Sequence, residues 1–152
     1  MSRTKFLITD NKDKDYYLKF CIGMPKVFTS KTQKLGEIGE DVAVKFLMKH
    51  GFAIIERNYT RKWGEIDIVA KKLNKLYFIE VKSVTHETAQ NDYRAEDNMH
   101  PWKAKRFSRT IQTYLLHEKI PDDEEWQVDL LVVYLDLNAK KARVKVVSDI
   151  IL

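Results

Sequence analysis

Gly64-Glu65-Ile66-Asp67 and, after a short gap, Phe78-Ile79-Glu80-Val81-Lys82 predict two neighbouring β-strands that both carry acidic residues. Both segments are rich in β-branched and aromatic residues, and the polar gap 71–75 has the length of a hairpin turn. Because side chains alternate between the faces of a strand, Glu80 and Lys82 share one face and Val81 points to the other. Antiparallel pairing in the right register would bring Asp67 close enough to Glu80 for both carboxylates to bind one ion.

This set of side chains has a chemical interpretation and a structural one. Two carboxylates and an ammonium at a sheet edge can bind a divalent cation and activate a water beside a phosphate, as metal-dependent phosphodiester cleavage requires. Alternatively, Glu80 and Lys82 are an ordinary pair on a solvated strand face, where such pairs contribute little energy. A lone Glu-x-Lys favours the second interpretation, whereas the strand-rich surroundings and Asp67 favour the first.

The composition indicates one domain without a membrane segment. A chain of 152 residues with 44% apolar residues can bury a sizeable core. It has no apolar run approaching the roughly 20 residues of a membrane span, and no secretory signal at its N-terminus. The single Cys21 allows neither an internal disulfide nor a cysteine metal site. We therefore expect a cytoplasmic protein that does not bind a membrane.

The charge distribution bears on the partner. The net charge of +5 favours nucleic acid. However, residues 1–34 hold 8 of the 27 Lys and Arg against 3 of the 22 Asp and Glu, so residues 35–152 are balanced. A basic surface on the domain therefore requires its acids to gather elsewhere, and they do cluster at 87–97 and 118–125.

The chain divides into an N-terminal extension, residues 1–33, and a domain, residues 34–152. In the extension, short strand-like segments at 6–8 and 17–22 are separated by the polar residues 11–15. The abrupt change of character before Lys34 leads to the hypothesis that Met24 is the true start.

The domain alternates between helical and strand patterns. Helices are predicted over 35–50 and 101–118, strands over 52–59, 62–70, 76–83, 126–135 and 143–147, and a polar loop over 84–100. The second helix supplies the crossover that a parallel partner strand requires. The apolar strand 126–135 is expected to be buried on both faces. The pattern predicts an α/β domain with a mixed central sheet.

Glu40 lies at the border of the apolar face of the first helix. From there its carboxylate could reach over the sheet. An ordinary boundary glutamate is the alternative.

The motifs, in this order, resemble the YraN-like family of small bacterial proteins. That family belongs to the PD-(D/E)XK, or restriction-endonuclease-like, superfamily and is related to archaeal Holliday-junction resolvases. The matching residues are Gly36-Glu37-Ile38-Gly39-Glu40, Ala43, Leu47, Gly51-Phe52, Asn58-Tyr59, Gly64 to Asp67, Phe78 to Lys82, Lys105-Arg106 and Val128-Asp129. The resemblance implies an αβββαβ core with a mixed central sheet flanked by helices.

The resemblance also implies residue roles. Asp67, Glu80 and the Val81 carbonyl would bind Mg²⁺ or Mn²⁺, which as hard ions prefer oxygen ligands. Lys82 would orient or deprotonate the attacking water, or stabilise the charge that develops on the phosphate. Glu40 would be an accessory acid that binds the metal directly or through water.

The implied function is a Mg²⁺-dependent endonuclease that hydrolyses DNA phosphodiester bonds, with branched or damaged structures as expected substrates. The alternative is a non-catalytic module on a nuclease-like fold that binds nucleic acid or recruits a protein.

Basic residues form two groups that could bind nucleic acid. Lys105, Arg106 and Arg109, with Trp102, lie on the second helix away from its apolar stripe, where they could follow a phosphate backbone. A solvated amphipathic helix explains this group equally well. Four residues before Gly64, namely Arg57, Arg61, Lys62 and Trp63, could flank the site, and packing explains Trp63 as well as base stacking does.

Two positions depart from the family pattern. After the lysine, the family usually has Thr or Ser and then Arg; Ser83 fits as a phosphate contact, but Val84 replaces the arginine. Trp126-Gln127 stands where Arg-Phe is common, and a structural role is therefore favoured for Asp129.

A homodimer is a further expectation, because resolvase relatives act in pairs. Trp126, Leu131 and Tyr134 could supply the interface, although core packing explains them equally well.

Overall fold

The computed structural model describes residues 9–10, 15–19, 30–85 and 100–152. Its elements are β1 (Thr9–Asp10), β2 (Asp15–Lys19), α1 (Lys31–Lys49), β3 (Ala53–Arg61), β4 (Gly64–Lys72), β5 (Lys75–Thr85), α2 (Pro101–His117), β6 (Trp126–Asp136) and β7 (Lys141–Val147). Cys21, Met24, the segment 6–8 and most of the loop predicted over 84–100 lie outside the described residues.

The strands form one mixed sheet in the order β1-β2-β7-β6-β5-β4-β3. β5 and β6 are parallel and α2 connects them, while the other neighbours are antiparallel. The five long strands and two helices confirm the predicted mixed α/β architecture. The short strand β2, which lies within the predicted N-terminal extension, pairs with β7, so this part of the extension belongs to the sheet.

The two helices cover opposite faces of the sheet. α1 packs its buried residues, such as Phe46, against Ile79 of β5, whereas α2 packs Phe107 against Phe78, the neighbour of Ile79 in sequence. Because adjacent strand residues point to opposite faces, the helices must lie on different sides. Residues 128–133 of β6 are all buried, which confirms that this strand is covered on both faces.

Leu131 is one of these β6 residues. It is 1% exposed and packs in the α1-side core. The expectation that Leu131 contributes to a dimer interface is therefore wrong, because its side chain has no free surface.

Local signals fix the ends of α1. The helix begins four residues before the predicted start because the Ser30 hydroxyl caps it by accepting a hydrogen bond from the Gln33 N–H (3.2 Å). It ends at Lys49, and Gly51, two residues further on, has a φ of +84° that suits a residue without a side chain, while the Phe52 N–H donates back to the Leu47 carbonyl.

The β4–β5 hairpin sets the register of the site. Its turn residues, Leu73 and Asn74, have φ of 48° and 61°, the left-handed pair that a tight two-residue turn requires. Lys72 is paired with Lys75, and the pairing continues to Ile68 and Ile79. One step further in this register, Asp67 lies opposite Glu80.

Candidate active site

Asp67 and Glu80 meet where the backbone ladder between β4 and β5 ends. The Asp67 Oδ2 accepts a hydrogen bond from the Val81 N–H at 2.7 Å, so the carboxylate takes a backbone donor of the neighbouring strand. In an extended strand, the N–H and C=O of one residue project to the same edge. The Val81 carbonyl therefore also faces β4, beside the two carboxylates.

A backbone irregularity lies at the same level in β3. Asn58 falls opposite Asp67, between the pairs Arg57–Ile68 and Tyr59–Ile66, and its φ is 53°. Asparagine tolerates this left-handed conformation better than most residues. The regular alternation of β4 also breaks here, because Ile66 packs on the α2 side of the sheet and Ile68 on the α1 side.

Burial and mutual repulsion dominate the electrostatics of the site. Asp67 is 8% exposed and Glu80 is 9% exposed. Burial, followed by the negative charge of Glu80, raises the pKa of Asp67 to about 8, although the Val81 N–H opposes the shift. Glu40 and Glu65 add to the negative potential at Asp67.

Glu40 reaches the site from α1. Burial raises the pKa of Glu40, while its hydrogen bond with the Asn58 side chain and the charge of Arg57 oppose the shift. The Arg57 Nη2 lies 3.6 Å from the Glu40 carboxylate and 2.9 Å from Asp41. The structure thus brings Glu40 to Asn58, the residue opposite Asp67.

The donor chemistry fits a small divalent cation. Asp67, Glu80 and the Val81 carbonyl offer hard oxygen ligands, and Mg²⁺ is commonly held by one or two carboxylates together with waters. Across residues 30–85 and 100–152, no group of three or more His, Cys, Asp or Glu is placed to hold a metal ion. Among these residues Glu40 is thus not grouped with Asp67 and Glu80 as a third direct ligand.

Lys103 is a site residue that sequence reasoning missed. Its ammonium forms an ion pair with the Glu80 carboxylate from the first turns of α2. Its spacing could have revealed it, because Lys103 lies four residues before Phe107, on the helix face that packs against the sheet. Lys82 is exposed and, two residues after Glu80 on β5, lies on the same face of the strand.

A cleft of about 380 Å³ opens beside Glu80. Its lining comes from the end of β3, the start of β4, β5 and α2 and consists of Thr60, Arg61, Gly64, Glu65, Glu80, Trp102, Lys103, Arg106 and Phe107. The structure therefore brings Arg61 and Arg106, of the predicted nucleic-acid-binding residues, to the candidate metal site. Lys62 and Lys105 are exposed but do not line this cleft.

Two arginines of α2 hold the β3–β4 connection in place. The Arg106 Nε donates to the Trp63 carbonyl at 2.7 Å. The Arg109 guanidinium lies over the Trp63 ring, 4.5 Å from its centroid. Trp63 thus packs against α2, and Arg109 contacts it rather than the cleft.

Ser83 lies on the other face of β5, against α1. A Cβ added to Gly39 would lie 1.8 Å from the Ser83 Oγ, so α1 approaches β5 at a distance that only glycine permits. This close contact places Glu40, the next residue of α1, near the site. The contact of Ser83 with nucleic acid stays a prediction, and its observed neighbour is the helix.

Asp129 has structural partners. Its Oδ1 accepts hydrogen bonds from the Gln127 Nε2 (2.7 Å) and from the Asp149 backbone N–H (3.0 Å). These contacts tie the end of the chain to β6, and they support the structural role favoured for this residue.

Solved structures offer a weak comparison. SfsA of Pyrococcus furiosus in complex with Ca²⁺ matches with a TM-score of 0.32 and 12% identity, covering 88% of this chain and 74% of that chain. A TM-score this low does not establish a shared fold.

In the described part of the chain, no helix is long and apolar enough to cross a membrane.

Sequence relatives are much closer. A UPF0102 protein of Campylobacter jejuni is 43% identical over 102 residues, which are 67% of this chain and 85% of the relative. A UPF0102 protein of Campylobacter fetus is 39% identical over 103 residues, which are 68% of this chain and 86% of the relative. The sequence model of the uncharacterised protein family UPF0102 matches residues 39–147. This chain therefore belongs to the UPF0102 family, which confirms the YraN-like resemblance.

Proposed function

We propose that this protein is a Mg²⁺- or Mn²⁺-dependent endonuclease that hydrolyses DNA phosphodiester bonds on a restriction-endonuclease-like core. The observation that carries the proposal is the buried pair Asp67 and Glu80, which meets the Val81 backbone where β4 and β5 part. Two buried carboxylates that repel each other are costly unless a positive charge lies between them.

Asp67, Glu80 and the Val81 carbonyl would hold the cation, which when bound supplies Lewis-acid activation of a water and of the phosphate. Lys82 orients the attacking water or takes its proton. Lys103, which pairs with Glu80 in this structure, would be available to stabilise the charge on the phosphate oxygens if Glu80 held the cation. Arg61 and Arg106, which line the adjoining cleft, would supply the positive charge that attracts the DNA strand to the site.

The proposal is tested with Glu80→Gln. The variant keeps the side-chain volume but removes the charge, so cleavage of labelled single-stranded, duplex, flap and junction DNA in Mg²⁺ should fall by at least about 10²-fold, the usual effect of removing one transition-state contact. Glu124→Gln is the matched control, because Glu124 also pairs with a lysine, Lys71, at 2.6 Å but lies outside the cleft. Equal cleavage by wild type and Glu80→Gln would contradict the assignment.

A non-catalytic nucleic-acid-binding module is the second candidate. The ion pair of Lys103 with Glu80 favours it, because Glu80 is neutralised by the protein itself. This reading predicts salt-sensitive DNA binding without cleavage by wild type in either metal.

We also propose that the protein works as a homodimer. Trp126, at 38% exposure, can still contribute to an interface. Sedimentation with and without DNA tests this, and a monomer in both conditions would contradict it.

A further inference from the structure

The cleft beside Glu80 combines cationic walls with an aromatic surface. Arg61, Lys103 and Arg106 contribute the positive charges, and Trp102 and Phe107 contribute the rings. Metal coordination requires neither ring, so the cleft has a recognition surface beyond the proposed chemistry. Its volume of about 380 Å³ is in the range of small-molecule sites.

Trp102 is an exposed aromatic residue at the start of α2. It is 57% exposed, whereas Phe107, five residues further along the helix, is 3% exposed and closes the cleft on the core side. The Arg106 guanidinium lies 5.8 Å from the centroid of the Trp102 ring. An aromatic face with neighbouring cations is the combination that proteins use to stack bases of single-stranded nucleic acid.

Glu65 bears on what the cleft can bind. This carboxylate also lines the cleft, which disfavours a bare phosphate within it. A carboxylate can only accept hydrogen bonds, as the amino groups of cytosine, adenine and guanine would supply. A base in the cleft, with its phosphate toward the Lys103 and Glu80 end, satisfies the rings, the cations and Glu65 together.

We infer that this cleft takes one unpaired DNA base, stacked on Trp102, from a nucleotide next to the phosphate at Glu80. A base inside a duplex cannot reach such a cleft without leaving the stack. The substrate class is therefore DNA with unpaired nucleotides, in single strands, loops or ends. This inference rests on the proposed function in taking DNA as the ligand.

The test measures binding without cleavage. The full-length protein is titrated in EDTA into a short labelled oligodeoxycytidine, an abasic oligomer of equal length, and a duplex. Trp102→Ala should weaken binding of the base-bearing strand about tenfold, or about 1.4 kcal/mol, and leave the abasic oligomer unaffected. Trp102→Phe should retain most of the affinity. Leu116→Ala, at a 79% exposed apolar residue of the same helix outside the cleft, is the control and should bind like wild type.

The outcomes separate this inference from the proposed function. Equal losses on the base-bearing and abasic strands, no loss on either, or no binding of any strand would overturn the base cleft. Base-dependent binding through Trp102, with no cleavage when Mg²⁺ is added, would uphold the cleft and contradict the nuclease. If wild type and Trp102→Ala cleave DNA equally in Mg²⁺ and bind it equally, the nuclease proposal is upheld and the base cleft is contradicted.

Discussion

Asp67 combines burial with negatively charged neighbours, and both features raise its pKa from 3.8 to about 8. Between these two values the folded state holds a proton that the unfolded state has released. The contribution of Asp67 to the free energy of unfolding therefore falls as the pH rises from about 4 to about 8, because at this position the folded state then binds more protons than the unfolded state. A divalent cation bound by Asp67 would oppose this loss.

We predict that Asp67→Asn is more stable than wild type at pH 8 in EDTA. An amide has no charge to bury, and its oxygen can still accept the Val81 N–H bond. Since each pKa unit corresponds to about 1.4 kcal/mol, a gain of at least about 1 kcal/mol is expected. For a chain of this size, that raises the Tm by about 2–4 °C.

Thermal melts at pH 5 and pH 8 check this prediction. Mg²⁺ should raise the Tm of wild type and leave Asp67→Asn unchanged. Asp129→Asn, at another buried carboxylate, is the control and should show no gain at pH 8, because two donors already satisfy Asp129. Parallel pH profiles for wild type and Asp67→Asn would contradict the electrostatic account.

At the scale of elements, the parts that follow from local patterns were predictable from the sequence. The hairpin of β4 and β5 and the crossover helix follow from strand alternation and from the polar gap between the strands. The register was left open by the sequence, and the gap expected over 71–75 is a two-residue turn at Leu73 and Asn74. The pairing of Lys103 with Glu80 was not predictable in this way, because it depends on where α2 crosses the sheet. The left-handed conformation of Asn58 and the broken alternation at Asp67 were also missed. A strand prediction assumes that side chains alternate regularly between two faces, so it cannot show where that alternation stops.

The contact between α1 and β5 gives an element-scale prediction. A Cβ at Gly39 would lie 2.9 Å from the Ser83 Cβ as well as 1.8 Å from its Oγ, so rotating the hydroxyl cannot relieve the clash. Gly39→Ala should therefore move the helix, lower the free energy of unfolding by about 1–3 kcal/mol, and weaken cleavage by displacing Glu40.

Gly36→Ala is the control on the same helix. A Cβ there has no atom within 4 Å, and alanine favours a helix over glycine by about 1 kcal/mol, so this variant should be stabilised. Urea unfolding measures both. Adding Ser83→Gly should recover part of the stability of Gly39→Ala, and equal stabilities of the two alanine variants would exclude the close contact.

At the scale of the whole molecule, the sheet separates the candidate site from the N-terminal strands. The site lies at β4 and β5, while β1 and β2 extend the sheet beyond β7. Because residues 35–152 carry equal numbers of acidic and basic residues, the sequence implied only that a basic surface requires the acids to lie elsewhere. The fold supplies it locally, by gathering Arg61, Lys103 and Arg106 at one cleft, an arrangement that a charge count cannot reveal.

This separation predicts how a chain that begins at Met24 behaves. Such a chain lacks β2 and therefore the five paired positions between Asp15–Lys19 and β7. The loss should be on the order of a few kcal/mol, since each backbone hydrogen bond contributes about 0.5–1.5 kcal/mol net. The uncovered edge of β7 should also promote self-association. Cleavage per folded molecule should not change, because β6 and β7 lie between the missing strand and β5.

Removal of residues 1–8 is the matched control, because it shortens the chain but retains both N-terminal strands. Urea unfolding, sedimentation and single-turnover cleavage compare the two truncated chains with the full chain. If the chain from Met24 is as stable and as monomeric as the full chain, the pairing of β2 with β7 contributes nothing and the extension is dispensable for the sheet. If it is stable but fails to cleave, the extension acts on the site directly, and the prediction based on the position of β7 and β6 between β2 and β5 is wrong.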